Sequence, residues 1–567
     1  MLNLLSTVLR HAERVPERDC VRLFSRRRGG GARAFGQVAE DARRAAAFYR
    51  ARGVGPGDIV ALMGGHDVGV YGAWLGALWV GATPVFLAEP SVRIDKQTYW
   101  SRLSYLLTYL DAKLLALSAA IDASSWPIKV GVVTYPELAA AGPGGAPSPH
   151  EPGEGDRMLL QHSSGTTGVP KGVQLTHGMV ARYAEVTIER MGVDERDVVV
   201  SWLPLYHDLG LFNCFIIPMF AGIPTVSLST FEWVADPELQ LEAIHEHRGT
   251  ISYMPNFAFA LLAASVADPG RYDLSMLRGV WSGGEPPSAA DMLAFSRRFE
   301  VAGFRREALQ AGYGMAESVA GITSSGPGVP LKFHRILKSA WRERHEAVPA
   351  GEGEPAENVL VHVSNGTMSR GCEMRVLGPG GERLPPGRAG RVFVRTPFLF
   401  GGYFRRDDLN QNLFDADGFY DTGDIGYLDD EGHVYVSGRS KDLIIVGGRN
   451  VYSQDVEKVA NEVPGVHAGR TVCFGVSVPS RGTEGAVLLA ESDLPEADWP
   501  ALAARLREAV VRFADVDLAD VKLAPRGVLR KSTAGKLARP DNRALYLQGR
   551  FGPPPPVVAV PEPGAGA

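Results

Sequence analysis

A stretch rich in hydroxyl residues and glycine, LLQHSSGTTGVPKGVQLTH, runs from Leu159 to His177. Consecutive small residues allow backbone N–H groups to close on phosphate oxygens, and Lys171 adds a positive charge. The Walker A motif requires glycine before its lysine and serine or threonine after it, whereas Pro170 and Gly172 flank Lys171 here. The stretch therefore predicts a phosphate-binding loop that is not a Walker A loop, which argues against a P-loop kinase or ATPase. A flexible Gly/Ser turn is the ordinary alternative.

Five further stretches of polar or glycine-rich sequence follow along the chain. They are SGGEPP from Ser282, GYGMAES from Gly312, YDTGDIGYLDDEG from Tyr420, GRSKDLIIVGGRNVY from Gly438 and KSTAGKLAR from Lys531. Taken singly, each has an ordinary explanation. A lysine in a Ser/Thr/Gly loop is usually solvated, an aspartate in such a setting usually forms a turn, and a tyrosine between glycines is often only packed.

In this order the six stretches resemble the motifs of the adenylate-forming superfamily, which includes acyl-CoA synthetases, luciferases, adenylation domains and fatty acyl-AMP ligases. Six motifs in register over nearly the full length leave little room for chance. The resemblance implies that a carboxylate attacks the α-phosphate of ATP and that pyrophosphate leaves. Because two anions must meet in this reaction, the site has to neutralise charge and align the reactants.

The resemblance also implies a role for each matching residue. Thr167 and Glu317 would place Mg²⁺, a metal that prefers oxygen ligands, and Lys536 would be a mobile catalytic cation that contacts the carboxylate and the α-phosphate. Tyr313 would stack on adenine, and Asp424 would accept both ribose hydroxyls with Arg439 nearby. The remaining predicted nucleotide-binding residues lie in the phosphate loop and in the two motifs beside adenine: Ser163, Gly165, Thr166, Gly168, Lys171, Gly284, Glu285, Gly314 and Met315.

Two segments bear on the acid that is activated. WLPLYHDLGLF places His207 after a predicted strand, and ISYMPNFAFALL places Asn256 and Phe257 after another. A histidine with apolar flanks is more often a core residue with satisfied hydrogen bonds than a catalytic one. Both segments nevertheless resemble the acyl-pocket walls of fatty acyl-AMP ligases, so we predict a substrate-binding role for these three residues and no acid/base role.

The closest resemblance within the superfamily is to the fatty acyl-AMP ligases. PNFA and GGRNVYSQDVE are similar to motifs of that branch, although VSNGTMSRGCEMRV and Ser453 depart from it. A long interval follows Glu317, and in acyl-AMP ligases an insertion there resists the domain rotation that CoA use requires. The predicted insertion, from about Val329 to Glu357, includes the basic residues Lys332, Lys338, Arg342 and Arg344. They could pack against the moving domain or instead help an acidic carrier protein to dock. A variable surface loop is the alternative, because long insertions cost little free energy.

The predicted function is therefore ATP-dependent formation of an acyl-AMP from a medium or long aliphatic acid, followed by acyl transfer to the phosphopantetheine thiol of an acyl carrier protein. Two alternatives stay open. One is an acyl-CoA ligase, with CoA the less favoured acceptor. The other is a catalytically silent acyl or nucleotide sensor, although a silent relative has no reason to retain all five of Lys171, Glu317, Asp424, Arg439 and Lys536.

The elements that must position these residues follow from hydrophobic patterning. Short apolar runs such as DIVALMG, VVVSWLPL and GTISYMP alternate with helical patterns, which predicts mostly parallel, helix-covered sheets with ligand sites at their carboxyl edges. Antiparallel patterns precede Gly438, and amphipathic helices follow it. We predict an α/β fold with a large N-terminal domain over residues 1–440, a small mobile α+β domain over 441–550 hinged at Lys441, and a disordered proline-rich tail over 551–567.

Composition limits the partners and the compartment. The chain has 567 residues, of which 59 are basic and 64 acidic, so its net charge is -5 and no dense basic run is present to bind nucleic acid. The four scattered cysteines fit a reducing compartment, and no apolar stretch reaches the roughly 20 residues of a spanning helix. We therefore predict a cytoplasmic protein without a membrane span.

Overall fold

The computed structural model describes residues 3–27, 30–90, 96–142, 144–162, 171–446, 449–478, 483–514, 516–531 and 537–553. Its α-helices in chain order are α1 (Leu4–Arg14), α2 (Phe35–Ala51), α3 (Gly69–Trp79), α4 (Lys96–Leu110), α5 (Tyr135–Ala140), α6 (His177–Met191), α7 (Ile217–Ala221), α8 (Thr230–Ala235), α9 (Glu238–His247), α10 (Asn256–Ser265), α11 (Ala289–Phe299), α12 (Lys338–Arg344), α13 (Asp407–Asn410), α14 (Ser453–Asn461), α15 (Trp499–Ala514) and α16 (Arg539–Leu547).

The strands in chain order are β1 (Asp19–Phe24), β2 (Gly31–Ala34), β3 (Ile59–Met63), β4 (Thr83–Phe86), β5 (Ala112–Leu117), β6 (Gly131–Thr134), β7 (Arg157–His162), β8 (Gly172–Thr176), β9 (Val199–Ser201), β10 (Thr225–Leu228), β11 (Ile251–Met254), β12 (Gly279–Ser282), β13 (Leu309–Gly314), β14 (Gly321–Ser324), β15 (Phe333–Leu337), β16 (Val359–Val363), β17 (Thr367–Met368), β18 (Glu373–Leu377), β19 (Gly390–Arg395), β20 (Tyr420–Leu428), β21 (Val434–Arg439), β22 (Leu443–Val446), β23 (Arg449–Tyr452), β24 (Val466–Val478), β25 (Thr483–Ser492) and β26 (Leu518–Ala524).

A nine-stranded sheet carries much of the candidate site, with the strand order β17-β14-β13-β12-β11-β9-β10-β1-β2. The six strands from β13 to β1 run parallel to one another, whereas β2, β14 and β17 pair antiparallel at the two edges. The short strands β11 and β12 are buried at every position, as expected for parallel strands covered on both faces. Their carboxyl ends lead directly into the PNFA and SGGEPP motifs.

A second, four-stranded sheet is entirely parallel, with the order β4-β3-β5-β6. The helix α3 packs close to α2, because Gly72 and Gly76 leave room for the neighbouring backbone. A Cβ atom added at Gly76 would lie 2.5 Å from the Cβ atom of Ala45. The predicted mostly parallel α/β architecture is confirmed by these two sheets.

Antiparallel structure follows, as the sequence predicts. The strands β18 to β21 form a four-stranded antiparallel sheet, and β24, β25 and β26 form a three-stranded sheet further along the chain. The predicted amphipathic helices are α14 and α15, and their apolar faces pack against the second of these sheets. Within the described residues, no helix is both long enough and apolar enough to cross a membrane.

One element was not predicted by the sequence pattern. After β9 the chain forms a π-helix over Leu209–Ile216, directly following the His207–Asp208 pair. Because Pro218 has no N–H group, it cannot donate to the carbonyl group of Cys214. The hydroxyl of Thr225 donates to that carbonyl instead, at 3.0 Å. A side chain of β10 thus bonds the carbonyl group that the Pro218 nitrogen cannot.

Candidate active site

Two strands far apart in the sequence bring the predicted adenine and ribose residues into contact. Tyr313, near the end of β13, donates its hydroxyl hydrogen to Asp424 Oδ2 at 2.5 Å. The β20–β21 register sets Asp424 opposite Arg439, whose Nε lies 3.2 Å from Asp424 Oδ1. Burial raises the pKa of Asp424, and the charge of Arg439 opposes that rise. Asp424 is only 6% exposed, and a carboxylate held in this way is suited to accept hydrogen bonds from hydroxyl groups.

Glu317 lies in a second group of hydrogen-bonding side chains. Tyr403 donates its hydroxyl hydrogen to Glu317 Oε1 at 2.8 Å and lies 3.0 Å from the hydroxyl of Tyr420. Burial raises the pKa of Glu317, and the hydrogen bond from Tyr403 opposes that rise. Lys171 Nζ lies 5.0 Å from the centre of the Tyr403 ring, so the lysine of the predicted phosphate loop reaches the same group. Met315, two residues before Glu317, is 9% exposed.

The two groups share their charged neighbours. The charge of Arg439 favours ionisation of both Asp424 and Glu317 and so opposes the effect of burial on their pKa values. Burial lowers the pKa of Lys441, and the nearby charges of Arg439 and Lys171 lower it further. Three cations therefore lie close to two buried carboxylates. This arrangement can hold a polyphosphate at the cations and hydroxyl groups or a divalent metal at the carboxylates.

The glycines of the adenine-side motifs have conformations that a side chain would disturb. Gly284 has a φ of +80°, and a Cβ atom added at Gly314 would lie 1.6 Å from the carbonyl oxygen of Ala320. Glu285 accepts a hydrogen bond from the backbone N–H of Phe257 at 2.8 Å, so the SGGEPP loop touches the PNFA segment. The structure thus joins a predicted nucleotide segment to a predicted acyl segment.

The predicted acyl-wall residues differ in their surroundings. His207 Nδ1 lies 2.8 Å from Asp208 Oδ1, at the carboxyl edge of the nine-stranded sheet. Asn256 uses both ends of its amide within the protein: Nδ2 donates to Asp291 Oδ2 at 2.8 Å, and Oδ1 accepts from the Ser288 N–H at 2.7 Å. These two hydrogen bonds hold Asn256 against the N-terminus of α11. Phe257, in contrast, is 47% exposed.

Several predicted residues lie outside the described residues. These are Ser163, Gly165, Thr166, Thr167, Gly168 and Lys536. Their flanking segments are described: β7 and β8 pair antiparallel, with His162 opposite Gly172, on either side of the phosphate loop. Lys531 and Leu537 form a β-bridge on either side of the lysine loop. Both loops therefore begin and end at paired backbone positions.

The predicted insertion contacts the C-terminal part of the chain. The Trp341 ring stacks near Tyr452, with centroids 6.1 Å apart and an interplanar angle of 21°. Arg342 donates a hydrogen bond to the carbonyl of Phe513, and Lys338 Nζ lies 4.3 Å from the centre of the Phe513 ring. Two of the four predicted basic residues thus face the C-terminal part.

The other two of these four residues are paired elsewhere. Lys332 Nζ lies 2.9 Å from a carboxylate oxygen of Asp429 and 2.8 Å from one of Glu431. Arg344 Nε lies 2.8 Å from Glu346 Oε2. Only the α12 pair of Lys338 and Arg342 is therefore positioned to hold the C-terminal part.

Sequence reasoning missed Tyr403 as a site residue. Its segment, GGYF, belongs to none of the six motifs, whereas its hydroxyl reaches Glu317. The available signal was an aromatic residue after two glycines, a combination typical of loops in which the backbone approaches a ligand or a second segment.

Comparison with known proteins agrees with the motif order. The AMP-binding enzyme family matches residues 8–404. The putative ligase Rv1013 of Mycobacterium tuberculosis is 33% identical over 521 residues, which cover 90% of this chain and 94% of that protein. The medium-chain-fatty-acid–[acyl-carrier-protein] ligase JamA of Moorena producens is 30% identical over 404 residues, 69% of this chain and 68% of that protein.

The fold is also found among solved structures. A structure from a study of fatty acyl-adenylate ligases of E. coli and L. pneumophila superposes with a TM-score of 0.87 at 25% identity, covering 96% of this chain and 98% of that one. The resemblance to fatty acyl-AMP ligases that the motifs indicate is therefore confirmed. The family model matches most of this chain, and the chain is at least 30% identical to Rv1013 and JamA. This chain therefore belongs to the AMP-binding enzyme family.

Proposed function

We propose that this enzyme uses ATP to convert a carboxylic acid into an acyl-adenylate and then transfers the acyl group to the phosphopantetheine thiol of an acyl carrier protein. A medium or long aliphatic acid is the proposed substrate. In the first step a carboxylate oxygen forms a bond to the α-phosphorus while the bond to the β-phosphate oxygen breaks, and pyrophosphate leaves. In the second step the thiolate attacks the acyl carbonyl, and AMP leaves with the bridging oxygen.

The observation that carries this proposal is that Asp424 and Glu317, each buried in its own group of hydrogen-bonding side chains, both feel the charge of Arg439. Asp424, held by Tyr313 and Arg439, is the proposed ribose acceptor, and the Tyr313 ring is the proposed adenine platform. Lys171 is close enough to share the site with Glu317 through Tyr403. These residues bind and orient ATP, and they lower the repulsion between two approaching anions.

The residues near Glu317 are compatible with a magnesium ion. Its carboxylate is buried, which raises its pKa, and it accepts the hydroxyl hydrogen bond of Tyr403 at Oε1. A hard cation would replace the solvation that burial removes. We propose that Glu317 and Thr167 hold Mg²⁺, which when bound supplies charge neutralisation at the phosphates. The chain's own hydroxyl donor, Tyr403, orients the carboxylate.

We further propose that residues 441–550 form a mobile domain that turns about Lys441 between the two half-reactions. Lys536 would enter the site for adenylation and leave it for transfer. The contact of α12 with Phe513 and Tyr452 supports restricted turning, because it joins the insertion to the moving part. This restriction favours a carrier protein over free CoA as the acceptor. The four cysteines are free and buried, in keeping with a proposed cytoplasmic location.

Pyrophosphate release with ATP and a panel of aliphatic, aryl and amino acids tests the adenylation step. We expect release with aliphatic acids and its near-complete loss in Glu317→Gln. The matched control is Glu346→Gln, since Glu346 is ion-paired with Arg344 on the insertion and should leave the rate unchanged. If no acid supports release by the intact enzyme, the silent sensor replaces this proposal.

The acceptor is tested by offering a phosphopantetheinylated carrier protein and CoA at matched thiol concentration. We expect efficient carrier loading and little acyl-CoA. The double variant Lys338→Ala/Arg342→Ala removes the α12 contacts with Phe513 and should raise CoA use while adenylation continues. Arg344→Ala, on the same helix but paired with Glu346, is the control. Rapid acyl-CoA formation by the intact enzyme would identify it as an acyl-CoA ligase.

A further inference from the structure

Two different sheets carry the proposed adenine and ribose residues. Tyr313 lies in β13 of the nine-stranded sheet, whereas Asp424 and Arg439 lie in β20 and β21 of the four-stranded antiparallel sheet. The hydrogen bond from Tyr313 to Asp424, at 2.5 Å, joins the two sheets at the site itself. One nucleotide contacts both residues only if the sheets keep this spacing, so the contacts that set the spacing also affect ATP affinity.

A second connection between the two sheets is made by residues 364–367, which we call the bridging segment. The Asn365 N–H group donates to the Val434 carbonyl in β21 at 2.7 Å, and the Val434 N–H group donates to the Gly366 carbonyl at 2.9 Å. The segment runs into β17, which pairs with β14 of the nine-stranded sheet. A Cβ atom added at Gly366, whose φ is +81°, would lie 2.0 Å from the carbonyl carbon of Ser324. The bridging segment therefore packs directly between β14 and β21.

The side chain of Asn365 contacts both sheets at once. Its Oδ1 accepts from the Val436 N–H group in β21 at 3.0 Å, and its Nδ2 donates to the Gly312 carbonyl in β13 at 3.4 Å. Gly312 directly precedes Tyr313, and Val436 lies three positions before Arg439. Asn365 is only 4% exposed, so loss of its amide would leave buried backbone groups without a partner.

The backbone of Asn365 reaches Tyr313 by a second route. Thr323 Oγ1 donates to the Asn365 carbonyl at 2.6 Å and accepts from the Tyr313 N–H group at 3.0 Å. Thr323 lies opposite Tyr313 in the β13–β14 register and is 3% exposed. A buried hydrogen-bond network rigidifies the elements that it joins. Asn365 thus connects the strand of the proposed adenine platform to the strand of Arg439.

We propose that Asn365 is a positioning residue that sets the distance between the Tyr313 platform and the ribose acceptor Asp424. The proposal rests on the acid-activating function above and adds a determinant of its ATP affinity. Asn365 lies in VSNGTMSRGCEMRV, the stretch that departs from the fatty acyl-AMP ligase motifs, and the resemblance assigns it no role. It acts through β13 and β21 and not through contact with the nucleotide.

The test is calorimetric titration of Asn365→Ala with ATP, together with the KM values for ATP and for the acid in pyrophosphate release. The Kd for ATP should rise roughly tenfold, since a displacement of about 1 Å can cost as much as about 100-fold. The KM for ATP should rise with it, and the KM for the acid should not change. The matched control is Gln240→Ala, which removes another buried amide, 1% exposed and bonded to the indoles of Trp202 and Trp233. It should lower the melting temperature and leave the Kd for ATP unchanged.

A double-mutant cycle with Asp424→Asn distinguishes positioning from a general loosening of the fold. Because Asn365 acts through the position of Asp424, the double variant should bind ATP more tightly than the product of the two single losses predicts. Losses that multiply would overturn the proposal. An equal rise in KM for ATP and for the acid would overturn it as well.

Asn365→Asp carries the test if the alanine variant does not fold. A protonated carboxyl group has the donor and the acceptor of the amide, whereas a carboxylate cannot donate to the Gly312 carbonyl. Compared with the intact enzyme at the same pH, ATP affinity should be normal at about pH 5 and lowered at about pH 8, since burial keeps a carboxyl group protonated to higher pH. Equal relative affinity at both pH values, whether normal or lowered, would overturn the proposal. An intact enzyme that binds no ATP would instead refute the proposed function.

Discussion

Replacing Asp424 with asparagine should weaken ATP binding while leaving the protein as stable as before. Asparagine keeps the shape of the side chain and one acceptor oxygen for the Tyr313 hydroxyl, but it loses the charge and one acceptor for a ribose hydroxyl. A hydrogen bond to a charged group contributes about 1.5 to 3 kcal/mol. We therefore expect the Kd for ATP to rise roughly 10- to 150-fold.

The same substitution should not lower the free energy of unfolding, although it weakens ATP binding. Burial raises the pKa of Asp424, so above that pKa the folded state holds a carboxylate that water would solvate better. The Arg439 side chain that pairs with it is 51% exposed, and such a pair contributes less than about 1 kcal/mol. Asp424→Asn should therefore not lower the melting temperature.

Calorimetric titration with ATP, 2′-deoxy-ATP and 3′-deoxy-ATP gives the decisive comparison. If Asp424 accepts the ribose hydroxyls, the intact enzyme and Asp424→Asn should bind at least one deoxy nucleotide with nearly equal affinity. That nucleotide lacks the hydroxyl whose acceptor the substitution removes, so neither protein can form the hydrogen bond. Asp421→Asn is the matched control, since Asp421 lies on the same strand and is paired with Arg391. An unchanged Kd for ATP, or an equal loss for all three nucleotides, would refute the assignment.

The remaining predictions concern the two half-reactions, the metal site and the C-terminal part. Lys536→Ala should slow acyl-AMP formation roughly 100- to 1000-fold in rapid-quench assays and spare transfer from a supplied acyl-adenylate; equal losses in both would contradict its role. Tyr403→Phe removes a hydrogen-bond donor that lowers the pKa of Glu317. The acidic limb of the pH–rate profile should therefore move to higher pH, and a higher Mg²⁺ concentration should be needed for the same rate. An unchanged acidic limb would show that the hydrogen bond does not act on Glu317. Burial raises the pKa of Asp455 to about 6, so stability should fall as pH rises from about 4 to about 6. Asp455→Asn should remove that fall and stabilise the protein by roughly 3 kcal/mol at pH 8 in urea unfolding, and an identical pH dependence in both proteins would contradict it.

The sheets and the order of motifs could be predicted because both are local properties of the sequence. Strands such as β11 are short apolar runs that end in polar motifs, and the amphipathic patterns of α14 and α15 appear as periodic apolar residues. The candidate site residues Asp424 and Arg439 were also identified, since each lies in a recognisable motif. The resemblance also put Arg439 near Asp424, whereas the ion pair between them follows from the β20–β21 register.

Contacts between residues that are far apart in the sequence could not be predicted. Tyr313 and Asp424 lie 111 positions apart, and nothing in either motif shows that the hydroxyl donates to the carboxylate. Asn256 stays a predicted acyl-wall residue, but no motif shows that its amide is bonded to Asp291 and to the backbone of Ser288. A side chain's partners depend on which elements pack together, and that information is absent from a motif.

The central claim is that a carboxylate oxygen of the acid attacks the α-phosphate of ATP. It is tested most directly with an acid labelled with oxygen-18 in its carboxylate, incubated with the enzyme, ATP, Mg²⁺ and a phosphopantetheinylated carrier protein. The account predicts that mass spectrometry finds AMP carrying one labelled oxygen and the acyl group on the carrier thiol. Release of ADP, or AMP without the label, would contradict it.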